Sequence, residues 1–166
     1  MRHTSDAPPV ADARGLRLAL VVSRFNSEVT SRLLDGARSA LAKAGSQPSA
    51  VETFEVPGAF EIPFAARAAA STGRFDAVVC LGCVIRGETP HFEYISSAVA
   101  HGVAAASGAT GVPITFGVLT TNTLEEALAR SEEGPSNKGW EAASAAIDMA
   151  KLVRRMHVAR VPGQRV

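Results

Sequence analysis

Residues 77–94 read AVVCLGCVIRGETPHFEY, and this stretch decides the architecture. From residue 77 to residue 85 the chain is apolar or glycine without a break, and much of it is β-branched. No polar side chain alternates with the apolar ones, so neither face is built for water. The pattern predicts a strand covered on both sides, as in a parallel sheet. Arg86-Gly87 stops the run. Thr89 then offers a helix cap, and Pro90 fits the first helical position, where its missing N–H costs nothing. His91 falls in the first turn, beside unpaired N–H groups and the positive end of the helix dipole. That corner suits an anion, phosphate above all, and disfavours a protonated imidazole. Taken alone, it reads equally well as a plain strand–loop–helix joint with a surface histidine.

The chain has 166 residues, enough for one domain with a real core, and a hydrophobic content of 46% argues against extended disorder. Seventeen Lys+Arg against sixteen Asp+Glu exclude the one-signed field that nucleic acid or an acidic surface would need. No apolar run approaches the roughly 18 residues of a membrane helix. The opening residues, MRHTSDAPPVADARG, lack the apolar centre of a signal peptide. The expectation is a cytoplasmic protein with no nucleic-acid or membrane partner.

Cys80 and Cys83 are spaced C-x-x-C. On a strand, residues three apart point to opposite faces, so the pair cannot share a metal or close a disulfide. Redox pairs also need a helix N-terminus to lower the thiol pKa, and here the helix starts several residues later. Buried, inert thiols are expected.

Residues 1–14, with Pro8-Pro9 and no periodicity, are read as a flexible tail, or an arm that orders only against a partner; residues 15–157 form one domain, and 158–166 a loose tail. A first strand is expected at 16–23. Asn26 caps the helix after it, with Glu28 in the first turn and Val29, Leu33, Ala37 and Leu41 at helical spacing until Gly45. Phe25 stands between strand and cap, either as core rim or as a platform for a planar ligand. A second strand covers 51–56. After it come Gly58 and Ala59, small enough for close ligand approach, and Glu61, beside an Ala-rich helix ending at Gly73. The helix after Pro90 should close at Gly108, with His101 a packing or surface residue. A fourth strand is expected at 113–119. Thr123 and Glu126 form a capping-box pattern for a short helix to about Arg130. Asn137 then caps a last helix carrying Trp140, Ala143, Ile147, Ala150 and Met156.

Strand and helix thus alternate four times, with one extra helix. Right-handed crossovers make this a three-layer α/β/α sandwich, a four-stranded parallel sheet with helices on both faces. With strand order 2-1-3-4, as in flavodoxin-like folds, ligands belong at the carboxyl ends of strands one and three. Phe25, the 57–61 segment and His91 then fall on one edge. This convergence favours a site for a phosphorylated small molecule plus a planar one. A non-catalytic flavodoxin-like ligand-binding module is the alternative, and a purely structural oligomer-former is a third class. A flavin loop should carry several Ser/Thr donors after strand one, where Arg24-Phe25-Asn26 is too bulky. A phospho-receiver needs an acidic cluster, and only Glu88 is present there.

Residues 24–26 (RFN), 57–63 (PGAFEIP), 82–94 (GCVIRGETPHFEY), 114–120 (ITFGVLT) and Asn137-Lys138-Gly139 followed by 141–143 (EAA) resemble, in order, the 6,7-dimethyl-8-ribityllumazine synthases. The likeness runs from about residue 16 to 156. It implies the penultimate step of riboflavin synthesis, in which 5-amino-6-(D-ribitylamino)uracil condenses with 3,4-dihydroxy-2-butanone 4-phosphate and phosphate and water leave. By the same resemblance, Phe25 and the backbone of Ala59, Phe60 and Glu61 hold the pyrimidine and its ribityl chain. Cys83, Val84 and Ile85 line that pocket through backbone. Glu88 and Thr89 bind the butanone phosphate, His91 donates a proton, and Phe116 and Arg130 come from a neighbouring subunit. Arg130 pairs with the phosphate, where Lys138 is also placed. No metal or cofactor is implied. The partners are the two small molecules and further copies of the chain, in a pentamer, paired pentamers or a 60-subunit shell. One departure stands out: residues 131–136 (SEEGPS) replace the usual Ala-Gly and Lys-containing turn, near contacts between rings. Glu126 also stands where Gln is common.

Overall fold

The computed structural model describes residues 11–158. Among these, strands and helices alternate: β1 (Leu18–Ser23), α1 (Ser27–Lys43), β2 (Val51–Val56), α2 (Ile62–Ser71), β3 (Ala77–Ile85), α3 (His91–Thr110), β4 (Ile114–Thr121), α4 (Leu124–Ala129) and α5 (Lys138–Val158). All strand pairings are parallel, in the order β2-β1-β3-β4. Leu18 faces Val51 on one side and Ala77 on the other, so the carboxyl ends of β1 and β3 lie side by side.

The unbroken apolar pattern of β1 and β3 has its reason in two separate cores. Leu18, Leu20, Val22, Val79, Leu81 and Cys83 pack against α1 and α5 through Leu33, Ala37 and Ile147. Ala19, Val21, Val78 and Cys80 pack on the other face against α2 and α3 through Ile62, Ala66, Val99 and Val103. Both inner strands are therefore dry on both sides, and the three-layer flavodoxin-like sandwich follows from residue type.

Some boundaries move. The first strand starts at Leu18, although Leu16 is buried as well. Helix α3 runs through Gly108 to Thr110 and stops at Gly111, which takes the left-handed conformation (φ 68°). Gly108 faces open space, so nothing forces a break there. Pro90 holds the cap position of α3 and no side chain caps it, so Thr89 stands one residue outside the role expected of it. β4 continues to Thr121. Met156 is 61% exposed and leaves the buried stripe of α5, which Ala143, Ile147 and Ala150 do form. Residues 11–14, placed with the arm, rest on the body: Ala13 is fully buried and its N–H donates to Ala44 O at 2.8 Å. Residues 1–10 and 159–166 lie outside the described residues.

The cysteines sit where strand geometry put them. Both are free and buried, Cys80 in one core and Cys83 in the other. Burial pushes the Cys80 thiol up to about 12 and the Cys83 thiol up to about 11. Neither ionises near neutral pH. In the native protein at pH 8, a disulfide-exchange reagent should therefore label neither cysteine, and both should react once guanidinium unfolds the chain. Cys80→Ala should cost about 1 kcal/mol in urea unfolding through the small cavity it leaves. Rapid labelling of the folded protein would contradict this placement.

Candidate active site

Beyond Ser23 the chain makes a sharp turn. Arg24 and Phe25 donate backbone N–H bonds to Val56 O (2.8 Å) and Pro57 O (3.1 Å), which ties the end of β1 to the end of β2. Asn26 then takes the left-handed conformation (φ 58°, ψ 46°), alone among the described non-glycine residues. Asn tolerates this better than most residues. It occupies the cap position of α1, but its side chain does not cap. Instead its amide nitrogen donates to Cys83 O at 2.9 Å and locks the ends of β1 and β3 together. The turn throws Phe25 outward, 70% exposed, which sets aside core rim and leaves its ring free at this edge.

A cavity of about 350 Å³ opens at this edge, walled by Phe25, Asn26, residues 58–61 and Val84-Ile85, and closed by the loop and first turn of α3. Ala59 is buried and Phe60 is 60% exposed. The Glu61 carboxylate accepts from Gly58 N at 3.0 Å, which closes the 58–61 turn on itself. Thr89 and His91 stand on the opposite wall with Phe92 and Ile95. The structure thus brings Phe25, Ala59, Phe60, Glu61, Val84, Ile85, Thr89 and His91 around one hollow. Glu88 is exposed on the adjoining loop without lining it. Cys83 stands behind the wall: its side chain is in the core and its carbonyl is engaged by Asn26.

Arg86 braces the loop before His91. Its guanidinium lies 4.5 Å from the centre of the Phe92 ring, bonds Asn122 Oδ1 at 3.0 Å and pairs with Glu93. That pairing holds the Glu93 carboxyl below its ordinary range. The α3 start has no side-chain cap: Glu93 N bonds Pro90 O at 3.1 Å, while the N–H groups of His91 and Phe92 have no partner among the described residues, as an anion site requires.

The remaining expected site residues are elsewhere. Phe116, Arg130 and Lys138 line a second hollow of about 430 Å³ between β4 and α5, which shares no residue with the first. Phe116 is 44% exposed on the edge strand. Arg130 bonds Glu126 O through its guanidinium at 2.9 Å, and Lys138 Nζ pairs with Glu141 at 2.7 Å. No single chain joins the two hollows.

Four wall residues were not singled out in the sequence as lining a site. Asn26 and Gly87 fall on the edge expected to take ligands, but by type they signal only a cap and a turn. Phe92 and Ile95 carried a usable signal, because with Val99 they continue one apolar stripe of α3 at three- and four-residue spacing. The signal for Asn26 is weaker: nothing local in Arg24-Phe25-Asn26 reveals a bond reaching 57 residues on.

The model of the family described as 6,7-dimethyl-8-ribityllumazine synthase matches residues 15–154. A curated relative of that name from Syntrophus aciditrophicus (strain SB) is 52% identical over 144 residues, covering 87% of this chain and 94% of the relative. The matched span holds both hollows and every side chain named around them. The chain belongs to the 6,7-dimethyl-8-ribityllumazine synthase family.

Proposed function

We propose that this protein condenses 5-amino-6-(D-ribitylamino)uracil with 3,4-dihydroxy-2-butanone 4-phosphate to give 6,7-dimethyl-8-ribityllumazine, phosphate and water. The observation that carries the reading is the switch-point cavity, with exposed Phe25 on one wall and His91 at an uncapped helix start on the other. The pyrimidine stacks on Phe25 and meets the 59–61 backbone and the Val84-Ile85 edge. The phosphate takes the free N–H groups at the start of α3, near Glu88 and Thr89. The pyrimidine's 5-amine attacks the butanone carbonyl, the carbinolamine loses water, phosphate leaves, and ring closure loses a second water. Each step moves a proton, on carbon as phosphate is eliminated and the new methyl forms and on oxygen or nitrogen elsewhere, and His91 carries protons in these steps. Amine–ketone condensation proceeds unaided, so most of the acceleration comes from holding two substrates together.

The second hollow belongs to the same reaction, seen from a neighbouring copy. Phe116 completes the pyrimidine pocket next door, and Arg130 and Lys138 meet its phosphate. The separation of the two hollows on one chain supports this, and so do the exposed aromatics Phe25, Phe60, Phe64, Tyr94 and Phe116 on one small domain. A contact that joins two different surfaces of identical chains closes into a ring, here of five subunits. No described helix is long and apolar enough to cross a membrane. Two reduced, buried thiols suit a cytoplasmic location.

Mixing the purified protein with both substrates should produce the absorbance of the lumazine and one phosphate per turnover; no product from assembled protein would refute the assignment. His91→Ala should slow turnover without abolishing it. Acid–base help is worth about 10²–10⁴-fold, and this reaction should sit at or below the low end. Undetectable turnover in folded, assembled His91→Ala would contradict a reaction driven mainly by proximity.

The shared site has its own test. Phe25→Asp should spoil the pyrimidine wall and Arg130→Ala the phosphate contact, leaving both rings with little activity at sub-saturating butanone phosphate. Unfolding the two together in equal amounts and refolding them makes about one interface in four with an intact Phe25 facing an intact Arg130. Activity should return to roughly a quarter of wild type. Mixed rings that form, by gel filtration, yet stay as inactive as their parents would put the whole site within one chain.

A further inference from the structure

Asn137 is 1% exposed, and every hydrogen-bonding position of its carboxamide is occupied. Oδ1 accepts from Gly139 N at 2.8 Å and Trp140 N at 3.3 Å, which caps α5. Nδ2 donates to Ser131 O at 2.9 Å and to Arg32 O at 3.1 Å. Capping needs only the oxygen, and Ser, Thr or Asp would supply it. The two donor bonds need an amide. One holds the residue next to Arg130, and the other holds α1.

The neighbouring backbone closes the same clasp. Lys138 N donates to Arg130 O at 2.9 Å, so the loop that separates these two cations is pinned at its base. Helix α1 is shaped to admit the amide. A Cβ on Gly36 would lie 2.2 Å from Asn137 Oδ1, and one on Gly139 would lie 1.9 Å from Leu33 O. Arg130 is exposed at the end of the short helix α4, and Lys138 is half-buried at the start of α5.

We propose that Asn137 is a positioning residue for substrate phosphate: its amide donors fix the Arg130–Lys138 base against α1, so that both cations reach the neighbouring subunit's site at one spacing. The inference rests on the assignment of Arg130 and Lys138 to the phosphate. Side chains that sit on a clamped backbone lose less freedom on binding, so loosening the clamp should weaken phosphate binding and leave the pyrimidine pocket alone.

The test is steady-state kinetics on Asn137→Ser, Gly36→Ala and Arg130→Ala, with inorganic phosphate as a competing ligand. Asn137→Ser keeps a capping oxygen and removes the amide donors. Gly36→Ala leaves Asn137 in place and pushes its amide from the α1 side. Both should raise the KM for the butanone phosphate by about ten- to a hundredfold and weaken inhibition by inorganic phosphate. The KM for the pyrimidine and kcat at saturation should change far less, as loss of uniform binding requires. In an Arg130→Ala background, Asn137→Ser should add little, because both act on one contact. If Arg130→Ala raises the phosphate-substrate KM while assembled Asn137→Ser does not, Asn137 is only a cap and the proposal falls. If Asn137→Ser raises both KM values alike, its role is structural and the proposal also falls. If Arg130→Ala leaves the phosphate-substrate KM unchanged, the phosphate assignment itself fails. Should neither Asn137→Ser nor Gly36→Ala assemble, Asn137 serves the fold alone and the proposal is wrong.

Discussion

The pairing of β1 with β3, dry on both faces, constrains everything else in this protein. Their side chains are consumed by two cores, so neither strand has a residue left for chemistry along its length. Polar function is forced to the carboxyl ends, where the backbone must leave the sheet. Those two ends are neighbours because the chain winds from β1 outward to β2, then crosses β1 to reach β3. The helices therefore divide, α1 to one face and α2 and α3 to the other, and a crevice opens between the departing loops. Asn26 then joins the two ends directly through Cys83 O. A left-handed residue placed there is a small local cost, of the order of 1 kcal/mol, which the surrounding packing holds in place.

The same economy explains why the chain looks incomplete by itself. A domain of this size should not expose several large aromatics on one body, since each forfeits about 1.5–3 kcal/mol of possible burial. Phe25, Phe60 and Phe116 are exposed because they flank hollows. One hollow supplies a platform, an acid and a histidine, and the other supplies an aromatic and two cations. Each lacks what the other has. In the proposed ring, the same contact would bury apolar surface and complete the site, so assembly and activity would share one driving force.

Sequence patterns were most reliable where one physical cause acted alone. β3 has the expected bounds because its unbroken apolar run, rich in β-branched residues, has one stable home, the sheet. The opposed cysteines follow from strand periodicity. Errors arose where two causes competed. Gly108 carried a helix-stop signal, but an exposed glycine costs a long helix only about 1 kcal/mol, and Gly111, three residues on, makes a better terminator, its N–H bonding Ser107 O. Thr89 and Asn26 both looked like caps, yet proline took one cap position and a long-range bond claimed the other side chain. For the site, residue types and their edge were legible from the chain itself, whereas the division between two hollows came only through the family resemblance. That division depends on β4 being the outer strand and on α5 folding back over it.

The acidic loop at residues 131–136 shows how such a chain tolerates change near its chemistry. Its departure from the family pattern lies between Arg130 and Lys138, the two cations assigned to phosphate. Yet Glu132, Glu133, Pro135 and Ser136 are all exposed, and the loop's ends are fixed by bonds that do not involve them. Lys138 N to Arg130 O closes the base, and Asn137 holds Ser131 O and Arg32 O. Once the two ends are pinned, loop length and composition feed only weakly into the positions of the flanking residues, since closure entropy grows slowly with length. Variation is therefore free to accumulate in the exposed tip, where contacts between rings would be made, without moving Arg130 or Lys138. If the proposed assignments hold, the clasp would separate two demands, on assembly and on binding, that the sequence places within eight residues of each other.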